Sequence, residues 1–101
     1  MRTADVARAL EEVIDPELGI DVVSLGLVYG IEIVGDHIGV QLSLTTSGCP
    51  MALAMVEAAE AIVAGELGVA DVQVELVPEP AWEVEMLSAK ARARLGLPPI
   101  G

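Results

Sequence analysis

From Ile38 to Thr45 the side chains alternate without a break: Ile38, Val40, Leu42 and Leu44 on one parity, Gly39, Gln41, Ser43 and Thr45 on the other. A two-residue period of this kind belongs to a strand with one face in a core and one in water. A second alternating run precedes it at 27–34, where Leu27, Tyr29, Ile31 and Ile33 share a parity. Gly35-Asp36-His37 between the two runs is short and contains glycine, so the pair reads as a β-hairpin.

Helical periodicity surrounds the hairpin. Val6, Leu10, Val13 and Ile14 form an apolar stripe that predicts a first helix over Ala4–Ile14, with Thr3 as its cap. Asp15-Pro16 ends it, because the residue before a proline is pushed out of the helical region. The irregular segment DPELGIDVVSLG follows. After the hairpin, a second helix is expected from Pro50 to Leu67-Gly68, buried along Ala52, Met55, Val56, Ala59, Ile62 and Val63, with proline suited to its first turn. A third strand is expected at Val72–Val77, its Val72, Val74 and Leu76 on one face, stopped by Pro78 and Pro80. A last helix is expected at Ser88–Leu95, with Gly96 as C-cap and Arg92 and Arg94 near the negative end of its dipole.

This order, α-β-β-α-β-α, predicts an α+β fold: a two-layer α/β sandwich with helices on one side of a three-stranded sheet. The 101 residues fit a single domain spanning 1–101. With one Trp, one Tyr and no Phe, the core has to be built from Val, Leu, Ile, Ala and Met.

The charge excludes some functions. All five basic residues, Arg2, Arg8, Lys90, Arg92 and Arg94, sit near the ends, and the stretch between Ala9 and Ala89 holds fifteen acids and no Lys or Arg. Such a chain repels phosphate backbones, so no nucleic-acid partner is expected. No apolar run approaches the roughly 18–20 residues that span a bilayer, and the charged N-terminal segment does not read as a secretory signal. With one cysteine and no internal disulfide possible, a cytoplasmic location is expected.

The chemically distinctive position is Cys49, in TTSGCP between the second strand and the second helix. Amides at a helix N-terminus stabilise a thiolate, and Gly48 permits a sharp turn beside the hydroxyls of Thr46 and Ser47. A thiolate there suits iron, zinc or Cu(I), or nucleophilic attack; the plainer alternative is a small core residue. One thiolate does not complete a metal site, and the chain has no second cysteine and one histidine. Further ligands must come from another copy, a partner or a small thiol, or from the carboxylates of Asp15 or Glu17. A Cys–His dyad is disfavoured, because His37, in the hairpin turn, lies about 25 Å from Cys49 along a strand of about eight residues. His37 then reads as a solvated turn residue, Asp15 as a helix terminator, Gly26 and Gly30 as packing glycines, Met51 and Met55 as core, and Trp82 as packing the last segment onto the domain.

DPELGIDVVSLGLVYGIEI, VQLSLTTSGCPMA and AWEVEMLSAKARARLGL, in this order and spacing, resemble the metal–sulfur cluster assembly family that includes SufT-type and PaaD-type proteins. The resemblance runs along nearly the whole chain. It implies an iron–sulfur-cluster-assembly-like domain and a role in iron–sulfur protein maturation or targeting without enzymatic turnover. The family's characteristic cysteine falls on Cys49, its acidic motif on Asp15 and Glu17, and its threonine on Thr45 or Thr46. Ser24 departs from the pattern, standing where members often carry an acid. The resemblance implies a transient Fe–S cluster or iron, none held tightly by one chain alone, with Fe–S assembly proteins and apo client proteins as partners and a homodimer as one way to gather ligands. The alternative is a non-catalytic adaptor that docks an assembly machinery or an oxygenase complex.

Overall fold

A computed structural model describes residues 2–16, 18–44, 52–77 and 81–97. The elements in chain order are α1 (Thr3–Leu10), β1 (Ile14–Asp15), β2 (Ile20–Asp21), β3 (Val28–Val34), β4 (His37–Leu42), α2 (Ala52–Leu67), β5 (Asp71–Leu76), a 3₁₀ turn (Val84–Met86) and α3 (Ala89–Leu95). The three-stranded sheet has the order β3-β4-β5, antiparallel between β3 and β4 and parallel between β4 and β5. The α+β reading holds, with two short strands added, one across the expected end of the first helix and one inside the segment expected to be irregular.

The core follows from the alternation. Ile38, Val40 and Leu42 of β4 and Val74 of β5 are buried with Met55, Ala59 and Val63 of α2 and Val6, Ala9 and Leu10 of α1. The helix α1 packs on α2 and β3, and α2 packs on β5. Across β4, the alternate residues Gly39 and Gln41 pair with Glu32 and Gly30 on β3 and with Gln73 and Glu75 on β5, on the face away from that core.

Several boundaries shift for physical reasons. The helix α1 stops at Leu10 instead of running to Ile14: Glu12 and Val13 make tight turn bonds to Ala9 and Leu10, and the Val13 carbonyl accepts the Val22 N–H at 2.9 Å. Ile14 leaves the helical stripe, pairs with Asp21 in β1–β2, and is 49% exposed. Arg2, not Thr3, is the N-cap, and its N–H donates to Asp5 Oδ2 at 2.9 Å. The β3 register shifts between Val28, opposite Leu42, and Gly30, opposite Gln41. Tyr29 is therefore a bulge residue outside the Ile31/Ile33 row, and its hydroxyl meets Met86 Sδ at 3.6 Å. A bulge inserts one extra residue and changes the parity of everything before it. Leu76 is more than a third exposed at the end of its row.

The expected C-cap at Gly96 holds, and Ser88, expected as the first residue of the last helix, is its N-cap. Ser88 caps α3, its Oγ accepting the Ala91 N–H at 3.1 Å, and Gly96 ends the helix in the left-handed region at φ 73°. At Gly26 the φ is also positive, and a Cβ there would collide with the Met86 carbonyl. On α2, Glu60 Oε2 accepts the Val74 N–H of β5 at 3.0 Å.

Candidate functional site

The segment DPELGIDVVSLG is organised by two aspartates that do the same local job. Asp15 Oδ1 accepts the Leu18 N–H at 3.3 Å, and Asp21 Oδ2 accepts the Ser24 N–H at 2.9 Å. Each carboxylate reaches three residues ahead and closes a turn, the use to which short acidic side chains are well suited. Asp15 is 3% exposed and Asp21 5% exposed. A buried carboxylate is tolerated only with hydrogen-bond partners, and both have them. Asp15 thus sits in β1 and caps its own turn, whose Gly19 N–H also bonds to the Asp15 carbonyl at 2.8 Å. It does not terminate a helix.

Backbone hydrogen bonds tie this segment to the strand that leads toward Cys49. The Val22 N–H donates to Val13, the Leu27 N–H to Val22 at 3.0 Å, and the Ser43 N–H to Leu27 at 2.8 Å. Ser43 is 3% exposed and directly follows β4. The acidic turn and the entrance to TTSGCP are therefore held in one hydrogen-bonded unit. The C-terminal segment clamps it from the other side: Trp82 Nε1 donates to the Leu25 carbonyl at 2.6 Å, and the Ser88 N–H donates to the Ser24 carbonyl at 2.9 Å. Trp82 packs against the core, as the sequence suggested.

Of the candidate residues, Asp15 is placed in this unit; Glu17, Thr45, Thr46 and Cys49 lie outside the described residues, as do Pro50 and Met51. Among the described residues no group of three His, Cys, Asp or Glu side chains is arranged to hold a metal ion. His37 is not a free turn residue: it opens β4 and its Nδ1 lies 3.0 Å from Asp71 Oδ2. It stands at the opposite end of β4 from Ser43. Sequence reasoning missed Asp21, Ser24 and Ser43. The signal for the first two was present, since DPEL and DVVS share an aspartate with an acceptor reach of three residues.

The chain belongs to the iron–sulfur cluster assembly protein family, whose pattern matches residues 3–97. It is similar to the Fe-S protein maturation auxiliary factor YitW of Bacillus subtilis, 37% identical over 94 residues and covering 92% of each chain. It is 38% identical to the Fe-S protein maturation auxiliary factor SufT of Staphylococcus aureus over 86 residues, which is 84% of this chain and 98% of that one. Two solved structures share the fold: a domain of unknown function from Bacillus anthracis, with TM-score 0.89, 34% identity and coverage of 94% of this chain and 92% of that one, and a conserved hypothetical protein from Thermotoga maritima, with TM-score 0.80, 42% identity and 96% coverage of each. Among the described residues no helix is long and apolar enough to cross a membrane.

Proposed function

We propose that this chain is a maturation factor for iron–sulfur proteins, acting without turnover of its own, and that Cys49 is its transient sulfur contact to iron, to a cluster in transit or to a client. The cluster is cargo here. The observation that carries the reading is the hydrogen-bonded run Val13–Val22–Leu27–Ser43, which couples the buried Asp15 turn to the strand entering TTSGCP. A carboxylate fixed by such a frame and one thiolate in the segment that precedes α2 would form a sparse donor set, suited to weak and exchangeable metal contact. The maturation names of the relatives in B. subtilis and S. aureus support the same pathway. Glu17 and Thr46 complete the proposed pocket. Assembly proteins and apo clients are the proposed partners, and a second copy supplies missing ligands when no client is present.

Anaerobic incubation with ferrous iron and sulfide tests this. The wild type takes up cluster that a chelator strips readily, and Cys49→Ala takes up none. Equal uptake by the two proteins rules out ligation by Cys49. Pull-down from cell extract with Cys49→Ala separates the adaptor reading, in which client binding survives the substitution.

A further inference from the structure

The sheet face away from the helices carries an open groove of about 310 Å³, lined among others by Gly30, Glu32, Gly39, Gln41, Gln73 and Glu75. Two glycines in the interior of paired strands are unusual, because each weakens the strand and leaves no side chain to pack. Gly30 has an internal explanation: a Cβ there would stand 2.7 Å from Gln41 Oε1, so the Gln41 amide occupies its space. Gly39 has none. It lies in the middle strand, its φ is not positive, and a Cβ would meet only the tip of His37 at 3.7 Å and Glu32 Cβ at 3.9 Å, which is ordinary contact. Neither backbone conformation nor packing within the chain requires glycine at this position. The empty space above it is instead what an approaching group from another molecule needs.

Charge identifies that group. Glu32 on β3 and Gln73 on β5 flank Gly39 from opposite sides, and Glu75 stands one row along on β5, opposite Gln41, so that two carboxylates and two amide carbonyls surround the gap. No Lys or Arg occurs anywhere between Ala9 and Ala89, so none of the three strands supplies a cation to these carboxylates. The nearby His37 is already in contact with Asp71. Carboxylates and amide oxygens on a flat strand surface match the planar, multi-donor guanidinium group, which pairs with carboxylates in two-pronged fashion.

We infer that this groove docks an arginine-bearing extended segment of a partner protein, the guanidinium lying over Gly39 beside Glu32, with Glu75 diagonally across on β5. The groove is lined by residues of β3, β4 and β5, and the inference stands whether or not Cys49 contacts iron.

The test uses the full chain, isotope-labelled for amide NMR, and an acetylated, amidated Gly-Ser-Arg-Gly-Ser-Arg-Gly peptide. At concentrations of about 1 mM, the peptide shifts the amides of Glu32, Gly39, Gln41, Gln73 and Glu75, and added salt weakens the effect. The same peptide with citrulline in place of arginine binds about three- to tenfold more weakly, as does the peptide on the Glu32→Gln/Glu75→Gln double variant. Gly39→Ala weakens binding and Gly39→Val abolishes it, each with a well-dispersed folded spectrum. The Cys49→Ala protein binds as the wild type does. Shifts that map elsewhere, undiminished binding to a folded Gly39→Val protein, or equal affinity for free argininamide would overturn the inference.

Discussion

On the helix side of the sheet, Ile38, Val40, Leu42 and Val74 are closed off from water. On the other side, Glu32, Gln41, Gln73 and Glu75 from the same strands are exposed, around a glycine that nothing in the chain requires. One alternation in the sequence produces both faces. The first is held by burial, so its residues are fixed by volume. The second contributes little to stability, so its residues are free to be fixed by something else. That difference is what makes the composition of the outer face informative.

The comparison breaks most visibly in the core. Leu42→Ala removes a fully buried side chain from the middle strand and lowers unfolding free energy by about 2–5 kcal/mol, whereas Gln41→Ala, one residue away on the open face, changes it by no more than about 0.5 kcal/mol. Urea unfolding of the two variants checks the contrast. At the rim of the sheet, Glu60→Ala strips the acceptor from the Val74 N–H and lowers stability by about 1–2 kcal/mol, while Glu60→Gln, which keeps an acceptor oxygen, loses less. Gly39→Val has the opposite sign: a β-branched residue in the middle of a strand raises stability by about 1 kcal/mol, measured by the same unfolding curves. A gain in stability with a loss of docking separates a functional glycine from a structural one.

The smallest effect lies where α1 meets α2. A hydrogen bond to Glu66, with repulsion from its charge, holds the Glu12 carboxyl above its ordinary value of 4.5. A carboxyl raised in the folded state binds its proton more tightly there than in the unfolded chain. Its contribution to stability therefore grows as pH falls from neutral toward 4.5 and is lost as pH rises. Glu12→Gln is expected to raise the melting temperature slightly at pH 7 and to lose that advantage at pH 4.5. Thermal unfolding at the two pH values reads the difference.

What the sequence discloses tracks the length of the pattern. The β4 alternation extends over enough residues for its period to be plain, α2 is legible from its length and helix-forming composition, with Met55, Ala59 and Val63 of the expected stripe buried, and the cap at Gly96 is local chemistry. The strands Ile14–Asp15 and Ile20–Asp21 are too short to have a period, and they exist because of bonds such as Val22 to Val13 that no local window contains. The bulge at Tyr29 hides for a related reason: alternation on paper continues through a residue that the pairing skips. The α1 stripe continues to Ile14 on paper, yet Val13 and Ile14 are β-branched residues drawn into the neighbouring strand pairing. For the candidate site, DPE marked Asp15 as a residue of interest but read as a helix stop, because its burial and its place in β1 depend on pairing with Ile20 outside any local window. Asp21 and Ser24 carry the same aspartate-plus-three spacing in DVVS, whereas Ser43 emerged only from the hydrogen-bond run.

The bond from Glu60 to Val74 reaches beyond stability. Since Val77 donates to Leu42, the alternation of a strand turns the amides of Val72, Val74 and Leu76 away from β4, along the outer border of the sheet. Such a border is a template on which further chains can polymerise into ribbons. Glu60 places a carboxylate over the middle of it, a charge that an arriving strand has to desolvate or displace before it can zip on. The helix that carries the chain from β4 to β5 thus also sets a charge on the one border of β5 that β4 leaves open.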